Sequence, residues 1–381
     1  MTLLNLDNAS DQATQIFHPV SLGNRGALSE EDFKRVLALE RKRTERSKEP
    51  FLLMLLETSS QRSSAKNRNA LESMISTLMP TIRDIDFIGW YKEGTTVGVI
   101  YTGIGDLHKN SVLSTIRNRV IARLKDSFAH DQFSISFHFF PDDWDNDNSD
   151  RPNNPVLYPD LSDFESRRRS VLVMKRVMDV VGSATLLLLC SPLLLIIALV
   201  VKASSPGPAL FRQQRVSQYG RYFTFLKFRS MRIDNDQSIH KEFVTRFIAN
   251  NVEPQPSSED GSGIYKLTKD VRVTRVGEFL RRTSLDELPQ LLNVLKGDMS
   301  LVGPRPAIPY ELAVYQTWHR RRLLEAKPGI TGLWQVMGRS RVKFDEMVRL
   351  DLQYSSSWTP WLDLKILMLT PLAVIRGAGA V

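Results

Sequence analysis

The chain has 381 residues, enough for two or three domains, and its 42% hydrophobic content excludes a disordered chain. Its one cysteine excludes a disulfide scaffold and a cysteine-based zinc site. The net charge of +9 is uneven: residues 1–166 carry 19 basic and 24 acidic side chains, whereas residues 167–381 carry 32 and 18. The basic half therefore requires an anionic partner, which could be nucleic acid, anionic lipid or a phosphorylated substrate.

The N-terminal part predicts a leader followed by a small α/β domain. Residues 1–27 are polar and predict a flexible leader, and residues 28–141 predict the domain. Ser29, followed by three acidic residues, is typical of a helix N-cap. The predicted order of elements is αβαββαβ. After a first helix it comprises a strand at Phe51–Leu56, a helix at Asn69–Met79, a hairpin of Asp86–Tyr91 and Thr96–Tyr101, a helix at Asn110–Phe128 and a strand at Phe133–Phe139.

A linker and an apolar segment come next. Residues 142–166 are acidic and rich in Asn and Pro, which predicts a solvated linker. The second domain, residues 167–381, opens with a predicted membrane segment at 177–201. Within it the run Val180–Val201 has 22 residues without a charge, and about 20 apolar residues span a bilayer core.

Two topologies are open for this segment. Pro192 sits in its middle and kinks or breaks a helix, and Ser191 can bond a carbonyl that the proline frees. Basic residues flank both ends, so both ends favour the cytoplasm, as in a re-entrant hairpin. A single-pass helix with a tolerated proline is the alternative, and the residue pattern alone weighs the two about equally. The flanking cations predicted to face anionic lipid are Arg167–Arg169, Lys175, Arg176 and Lys202.

Three cations in the second domain are candidates for phosphate binding. Lys227 and Arg229 follow an apolar run and point to one face if they lie in a strand, which suits a diphosphate. A solvated strand face is the other interpretation of that pair. Arg305 is flanked by Pro304 and Pro306, which hold it on a rigid loop. A structural turn with an exposed arginine explains that pattern equally well.

Asp286 and Glu287 form the sharpest candidate site. Adjacent carboxylates can bind a hard divalent cation or divide the roles of nucleophile and base. A capping box from Ser284 to Glu287 is the structural alternative. Pro289 argues against it, because the missing N–H would be needed inside such a helix. The sequence instead predicts a helix over Pro289–Leu295 that ends at Gly297, with both carboxylates just before its N-terminus.

These residues resemble the bacterial sugar transferase family, the monotopic polyprenyl-phosphate phosphoglycosyl transferases, over roughly Arg169–Gly377. The resemblance implies a mostly α-helical membrane domain with a re-entrant helix broken at Ser191-Pro192. The longest matching segment is the most specific, and the order of the others reinforces it. The segments are the basic-flanked apolar run with Ser191-Pro192, Ser205–Met231, Ser284–Pro306 and Pro328–Gly332.

The resemblance implies a reaction and a set of site residues. Such enzymes move a phospho-sugar from a nucleotide diphosphate sugar to polyprenyl phosphate at the cytoplasmic face of the bacterial inner membrane. The resemblance makes Asp286 the expected nucleophile, which forms an aspartyl phospho-sugar. Asp286 and Glu287 are expected to position Mg²⁺. The implied phosphate or substrate contacts are Lys227, Arg229, Arg281 and Arg305.

The N-terminal domain resembles the ferredoxin-like fold of GGDEF nucleotide-cyclase domains, mainly in its order of elements. Its hairpin reads Lys92-Glu93-Gly94-Thr95 in place of the signature, so we expect no cyclase activity and a role in homodimerisation or regulation. A membrane-tethered signalling or adaptor protein with an inactive transferase domain is the second hypothesis, which the intact carboxylate pair disfavours. A nucleic-acid binder is the third. The membrane segment argues against it, and we expect no nucleic-acid partner.

Overall fold

The computed structural model describes residues 26–58, 64–105, 109–125, 128, 133–141, 155–159, 169–232, 238–249, 255–256, 263–264, 272–338 and 341–375. The predicted leader, except residues 26 and 27, and most of the predicted linker lie outside these residues. The described residues fall into two compact units, the first over 26–159 and the second over 169–375.

The first unit is built around one antiparallel sheet with strand order β2-β3-β1-β4. After α1, this is the βαββαβ succession of ferredoxin-like folds, so the predicted sheet domain and its element order are confirmed. The Ser29 hydroxyl caps α1 by accepting a hydrogen bond from the Asp32 N–H at 3.2 Å. The elements are α1 (Glu30–Ser47), β1 (Phe51–Thr58), α2 (Ser64–Leu78), β2 (Phe87–Lys92), β3 (Thr96–Tyr101), α3 (Lys109–Lys125) and β4 (Phe133–Phe140).

Strand β1 lies at the centre of this sheet and is buried on both faces. Met54 and Leu56 pack in the cluster that includes residues of α2 and α3, while Leu53 and Leu55 pack in the cluster that includes residues of α1. The prediction of a solvated linker is wrong for Pro155–Leu157. Leu157 is fully buried against the α1 side of the sheet, because this apolar stretch completes a core that α1 alone leaves open.

The second unit begins with α4 (Arg169–Ser204), a helix of 36 residues that includes Pro192. Proline cannot donate to the carbonyl four residues earlier, which belongs to Leu188. The Ser191 hydroxyl donates to that carbonyl at 2.8 Å, as predicted. The helix is continuous in secondary structure, and both of its halves pack on the second unit: Leu187 contacts one apolar cluster, and Ile197 lies in another.

Two flanking cations do not face lipid, contrary to prediction. Arg176 donates to the carbonyl oxygens of Val294 and Leu295 at 2.6 and 2.7 Å. Lys175 donates to Val302 and Asp363. Both side chains point into the protein because backbone carbonyls and a carboxylate accept their hydrogen bonds there. Lys202 is exposed, and the side chains of Arg167–Arg169 lie outside the described residues.

The rest of the second unit surrounds short sheets with helices. β5 and β6 form an antiparallel hairpin, and β9 pairs in parallel with β10. The main core joins β6, β9 and four helices, and Val294, Met299, Tyr354 and Ile366 are among its buried residues. The elements are β5 (Leu210–Val216), β6 (Tyr222–Phe228), α5 (Ser238–Ile248), β7 (Gln255–Pro256), β8 (Gly263–Ile264), α6 (Arg275–Arg282), α7 (Gln290–Lys296), β9 (Ser300–Val302), α8 (Pro309–Leu312), α9 (Thr317–Glu325), β10 (Gly329–Thr331), α10 (Leu333–Met337), α11 (Phe344–Ser357) and α12 (Pro360–Ile375).

Candidate active site

Asp286 and Glu287 lie on a single 3₁₀ turn, Leu285–Glu287, between α6 and α7. Ser284 precedes the turn with a left-handed backbone (φ 55°), and its side chain makes no cap hydrogen bond, so the capping box is absent. Helix α7 begins after Pro289 and ends at Gly297, whose φ of 93° suits glycine. The predicted placement of both carboxylates just before a helix is therefore confirmed.

The turn borders a cavity of about 2110 Å³ in the second unit. Asp286 is buried, and Glu287 is half-buried. One group of lining residues is apolar and comes from α4, α5 and α12. The other is charged and brings the carboxylate pair together with all four cations that the family resemblance implies. The apolar group includes Leu186, Phe243, Phe247, Leu367 and Val374, and the charged group includes Lys227, Arg229, Arg281, Asp286, Glu287 and Arg305.

Lys227 lines the cavity beside the carboxylate turn. It lies near the end of β6, with its Nζ 5.2 Å from the centre of the Phe211 ring, and makes no hydrogen bond or ion pair with a described residue. Burial, reinforced by nearby Arg281, lowers the pKa of Lys227 to about 8, while the charges of Asp286 and Glu287 act in the opposite direction. A half-buried ammonium with no ion-pair partner among the described residues suits an anionic ligand.

Arg229 lines the cavity and also bonds the end of α4. It follows the last residue of β6, and its Nη2 donates to the carbonyl oxygens of Val201 and Ser205, at 3.2 and 2.6 Å. It therefore fixes the C-terminal end of α4. Its Nε and Nη1 are buried without a hydrogen-bond partner among the described residues. Arg281, in the last turn of α6, donates from Nε to the Ser230 hydroxyl at 2.9 Å.

Arg305 is exposed within a run of buried residues, because the neighbouring carbonyls all point into the protein. Its own carbonyl oxygen accepts from Arg322 at 2.6 Å, and that of Pro306 accepts from Arg215 at 2.8 Å. Backbone N–H groups satisfy the carbonyls of Pro304 and Ala307. The expected rigid loop is therefore present, and it holds Arg305 at the cavity with its side chain exposed.

Two buried arginines that line this cavity were not among the predicted site residues. Arg215 is buried, packs 5.0 Å from the Phe225 ring centre and also lines the cavity. Burial, with the charge of Arg305, lowers the pKa of Arg215 to about 10. Arg322 is buried beside Asp351. Two residues after Arg215, the Ser217 hydroxyl donates to the Asp298 carbonyl oxygen at 2.7 Å.

Metal ligands are few at this site. Among the described residues, no group of three or more His, Cys, Asp or Glu side chains could hold a metal ion. Asp286 and Glu287 remain as two adjacent oxygen ligands. This donor set fits Mg²⁺, which proteins usually hold by one or two carboxylates together with waters and substrate phosphates. Ser191 and Pro192 do not line the cavity.

Comparison with known proteins identifies the second unit. Residues 170–377 match the bacterial sugar transferase family. The chain is 44% identical over 212 residues to the galactosyl transferase CpsE of Streptococcus agalactiae, covering 55% of this chain and 44% of that protein. It is 45% identical over 213 residues to the undecaprenyl-phosphate galactose phosphotransferase of Salmonella typhimurium, covering 56% of this chain and 43% of that protein. It therefore spans less than half the length of these two relatives.

A shorter relative is matched over most of its length. The chain is 40% identical over 206 residues to the exopolysaccharide production protein ExoY of Rhizobium meliloti, covering 54% of this chain and 87% of that protein. The match to a crystal structure of a DGC protein from Thermotoga maritima covers 31% of this chain and 86% of that chain, at 19% identity and a TM-score of 0.27. The family match extends over more than half of the sequence, and the protein belongs to the bacterial sugar transferases.

Proposed function

We propose that this protein transfers a hexose 1-phosphate from a UDP-sugar to undecaprenyl phosphate and so initiates a surface glycan or exopolysaccharide. Relatives named for galactose and for glucose 1-phosphate transfer to undecaprenyl phosphate support these substrates. The observation that carries the proposal is the buried Asp286 carboxylate, which shares one cavity with the Lys227 ammonium, a cation that makes no ion pair with a described residue.

Asp286 acts as the nucleophile in this proposal. A carboxylate oxygen of Asp286 attacks the sugar-bearing phosphorus, and the bond from that phosphorus to the bridging oxygen breaks. The electron pair leaves with UMP, and an aspartyl phospho-sugar forms. A phosphate oxygen of undecaprenyl phosphate then attacks the same phosphorus, which releases the Asp286 carboxylate and yields the lipid diphosphate sugar. Glu287, on the same turn, is the second carboxylate of the site.

The cations of the cavity offset the charge of two anionic substrates. Lys227 and Arg281 lie beside the nucleophile, and Arg305 reaches the cavity from its pinned loop. Preorganised cations of this kind stabilise charge on a transferring phosphoryl group without moving. Asp286 and Glu287 would hold a Mg²⁺ ion, which when bound neutralises negative charge on the diphosphate.

The membrane assignment rests on exposed apolar surface. Helix Ser170–Ser204 is long and apolar enough to cross a membrane by length and composition, and only 11% of its most apolar window is buried. A helix of a soluble core would be mostly buried. Helix α12 adds to this surface, because its exposed apolar residues recur at the spacing of one helix face. Its residues are Trp361, Leu364, Met368, Leu372 and Ile375.

We place both ends of α4 on the cytoplasmic face of the bacterial inner membrane, as a re-entrant helix. A straight span would place Val201 about 30 Å from Asp179, on the other side of the bilayer. Ile197 and Val201 instead pack with Phe228 and Leu280 of the second unit, while Asp179 accepts hydrogen bonds from the same unit. Contacts on both sides of Pro192 support the re-entrant arrangement.

Release of UMP from the detergent-solubilised protein tests the function. We expect release from UDP-glucose or UDP-galactose that depends on undecaprenyl phosphate. Asp286→Asn should lower kcat by about 10³-fold or more, because it removes the nucleophile. Glu346→Gln is the matched control, since Glu346 is an exposed carboxylate on α11. Intact-mass analysis should find the sugar phosphate on the wild type and not on Asp286→Asn. Full activity of Asp286→Asn would overturn the covalent role.

A further inference from the structure

The loop that carries Arg305 is anchored at Val302 by the first turns of the membrane helix. Lys175, in α4, donates from Nζ to the Val302 carbonyl oxygen at 3.1 Å. Asp179, one turn later, accepts from the Leu301 N–H and the Ser300 hydroxyl, both at 2.9 Å. Strand β9 is thus hydrogen-bonded to α4 immediately before the loop of residues 303–307.

Two further side chains orient Lys175. Asp363 Oδ2 lies 2.6 Å from Lys175 Nζ, and the Tyr354 hydroxyl lies 3.1 Å from it. With Val302, these two acceptors match the three N–H groups of one ammonium. The Tyr354 hydroxyl lies 2.6 Å from Asp363 Oδ1 and 3.0 Å from the Val302 oxygen. Its single proton goes to the nearer carboxylate, so the Val302 carbonyl takes its proton from Lys175.

The hydrogen-bond network around Lys175 is largely buried. Asp363 and Tyr354 are buried, and the Lys175 side chain is 14% exposed. The ammonium also lies 5.3 Å from the centre of the Trp358 ring. A buried ion pair adds little net stability compared with apolar residues of similar size, and its best-attested use is to fix one arrangement. Here the arrangement that it fixes is the position of Val302.

We propose that Lys175 is a positioning residue for the transferase reaction. Oriented by Asp363 and Tyr354, it holds Val302 and thereby the loop that presents Arg305 to the diphosphate of the nucleotide sugar. Gly303 follows Val302 directly and leaves little freedom, because its N–H donates to the Thr331 carbonyl at 2.8 Å. Arg305 lies three residues after Val302, so a shift of Val302 displaces the start of the loop that carries Arg305. This inference rests on the proposed function, since Arg305 must bind the sugar donor.

A double-mutant cycle on KM for the UDP-sugar tests the proposal. The pair is replaced together, as Lys175→Met with Asp363→Leu, so that no buried charge is left unpaired. We expect KM to rise about tenfold while kcat changes less than about threefold. In an Arg305→Met background the same pair of changes should alter KM by less than about twofold, because the contact that it positions is gone. Equal KM changes in both backgrounds would overturn the proposal.

Two companion variants keep the outcome decisive. Tyr354→Phe loosens the network without removing a charge, so it should raise KM about threefold, and only when Arg305 is present. Ser355→Ala is the control: it removes a buried hydrogen bond of the same helix, to the Asp351 carbonyl, without touching Val302. A KM rise in Ser355→Ala equal to that in Tyr354→Phe would indicate a merely structural role. If the wild type released no UMP from any UDP-sugar, the proposed function itself would fail, and this inference with it.

Discussion

Arg322 donates from Nη2 to the carbonyl oxygen of Arg305 at 2.6 Å, and the same nitrogen lies 3.2 Å from Asp351 Oδ2. The side chains of Arg322 and Asp351 are 2% and 1% exposed. An exposed arginine at the site thus rests on a buried arginine, whose charge is balanced by a buried aspartate. The backbone under Arg305 depends on this ion pair.

Breaking the Arg322–Asp351 ion pair should destabilise the protein strongly, whereas replacing both residues together should destabilise it little. Arg322→Leu or Asp351→Leu alone should destabilise the protein by about 3–5 kcal/mol, because each leaves a buried charge without its partner. The double variant should lie within about 2 kcal/mol of the wild type. Thermal unfolding in detergent measures this. If the losses of the two single variants added up in the double variant, the pairing would be contradicted. UMP release by the double variant should still fall, because its hydrogen bond to the Arg305 carbonyl is gone.

Low pH should weaken the same pair. Burial raises the pKa of Asp351 to about 6, although Arg322 acts in the opposite direction. Because the folded protein binds this proton more tightly than the unfolded chain, the contribution of Asp351 to stability falls as pH rises from about 4 to 6. Below pH 6, however, Arg322 loses its counter-charge. We expect KM for the UDP-sugar to rise below pH 6 in the wild type, and this rise to be absent in Asp351→Asn.

Lys227 should promote activity while it lowers the free energy of unfolding. Lys227→Met should lower kcat/KM by about 10²-fold, because it removes a cation beside Asp286, and yet raise the free energy of unfolding by about 1–2 kcal/mol. That figure is less than the full pKa shift implies, because Lys227 is partly exposed. Between pH 8 and 10.5 the unfolded chain binds more protons at this residue, so wild-type stability should rise with pH.

The matched control for this prediction is Lys343→Met, which removes an exposed lysine of the same unit. It should change neither the activity nor the pH dependence of unfolding between pH 8 and 10.5. Urea unfolding at pH 8 and pH 10 measures the difference. A destabilised Lys227→Met variant would show that the ammonium has a structural partner.

Local sequence signals predict the turn that carries Asp286. The orientation of a basic side chain such as Lys175 depends instead on partners far away in the sequence. Pro289 and Gly297 mark the start and end of α7 through their own backbone limits, so the carboxylate turn was predictable. Lys175 reads like a lipid-facing cation because it precedes an apolar run. Its acceptor Asp363 lies 188 residues later in the chain, and no local pattern reveals it.

Gly303 should not tolerate a side chain. A Cβ at this position would lie 2.2 Å from the Lys327 carbonyl oxygen and 2.9 Å from the Gly329 nitrogen, both backbone atoms. Gly303→Ala should therefore cost about 2–3 kcal/mol and displace the loop of Arg305. Gly26→Ala is the control, because a Cβ there meets nothing within 4 Å. Unfolding midpoints of the two variants that agree within 1 °C would contradict the close approach.

The topology of α4 can be tested by cysteine labelling in intact cells. Ser170→Cys and Ala203→Cys place thiols on exposed positions at the two ends of the helix, in a Cys190→Ser background that removes the native thiol. If α4 is re-entrant, a membrane-impermeant maleimide should label neither position until the inner membrane is permeabilised. Glu346→Cys reports the cytoplasmic side in the same assay. Labelling of one end from outside would show a single span, because a straight helix places its two ends in different compartments.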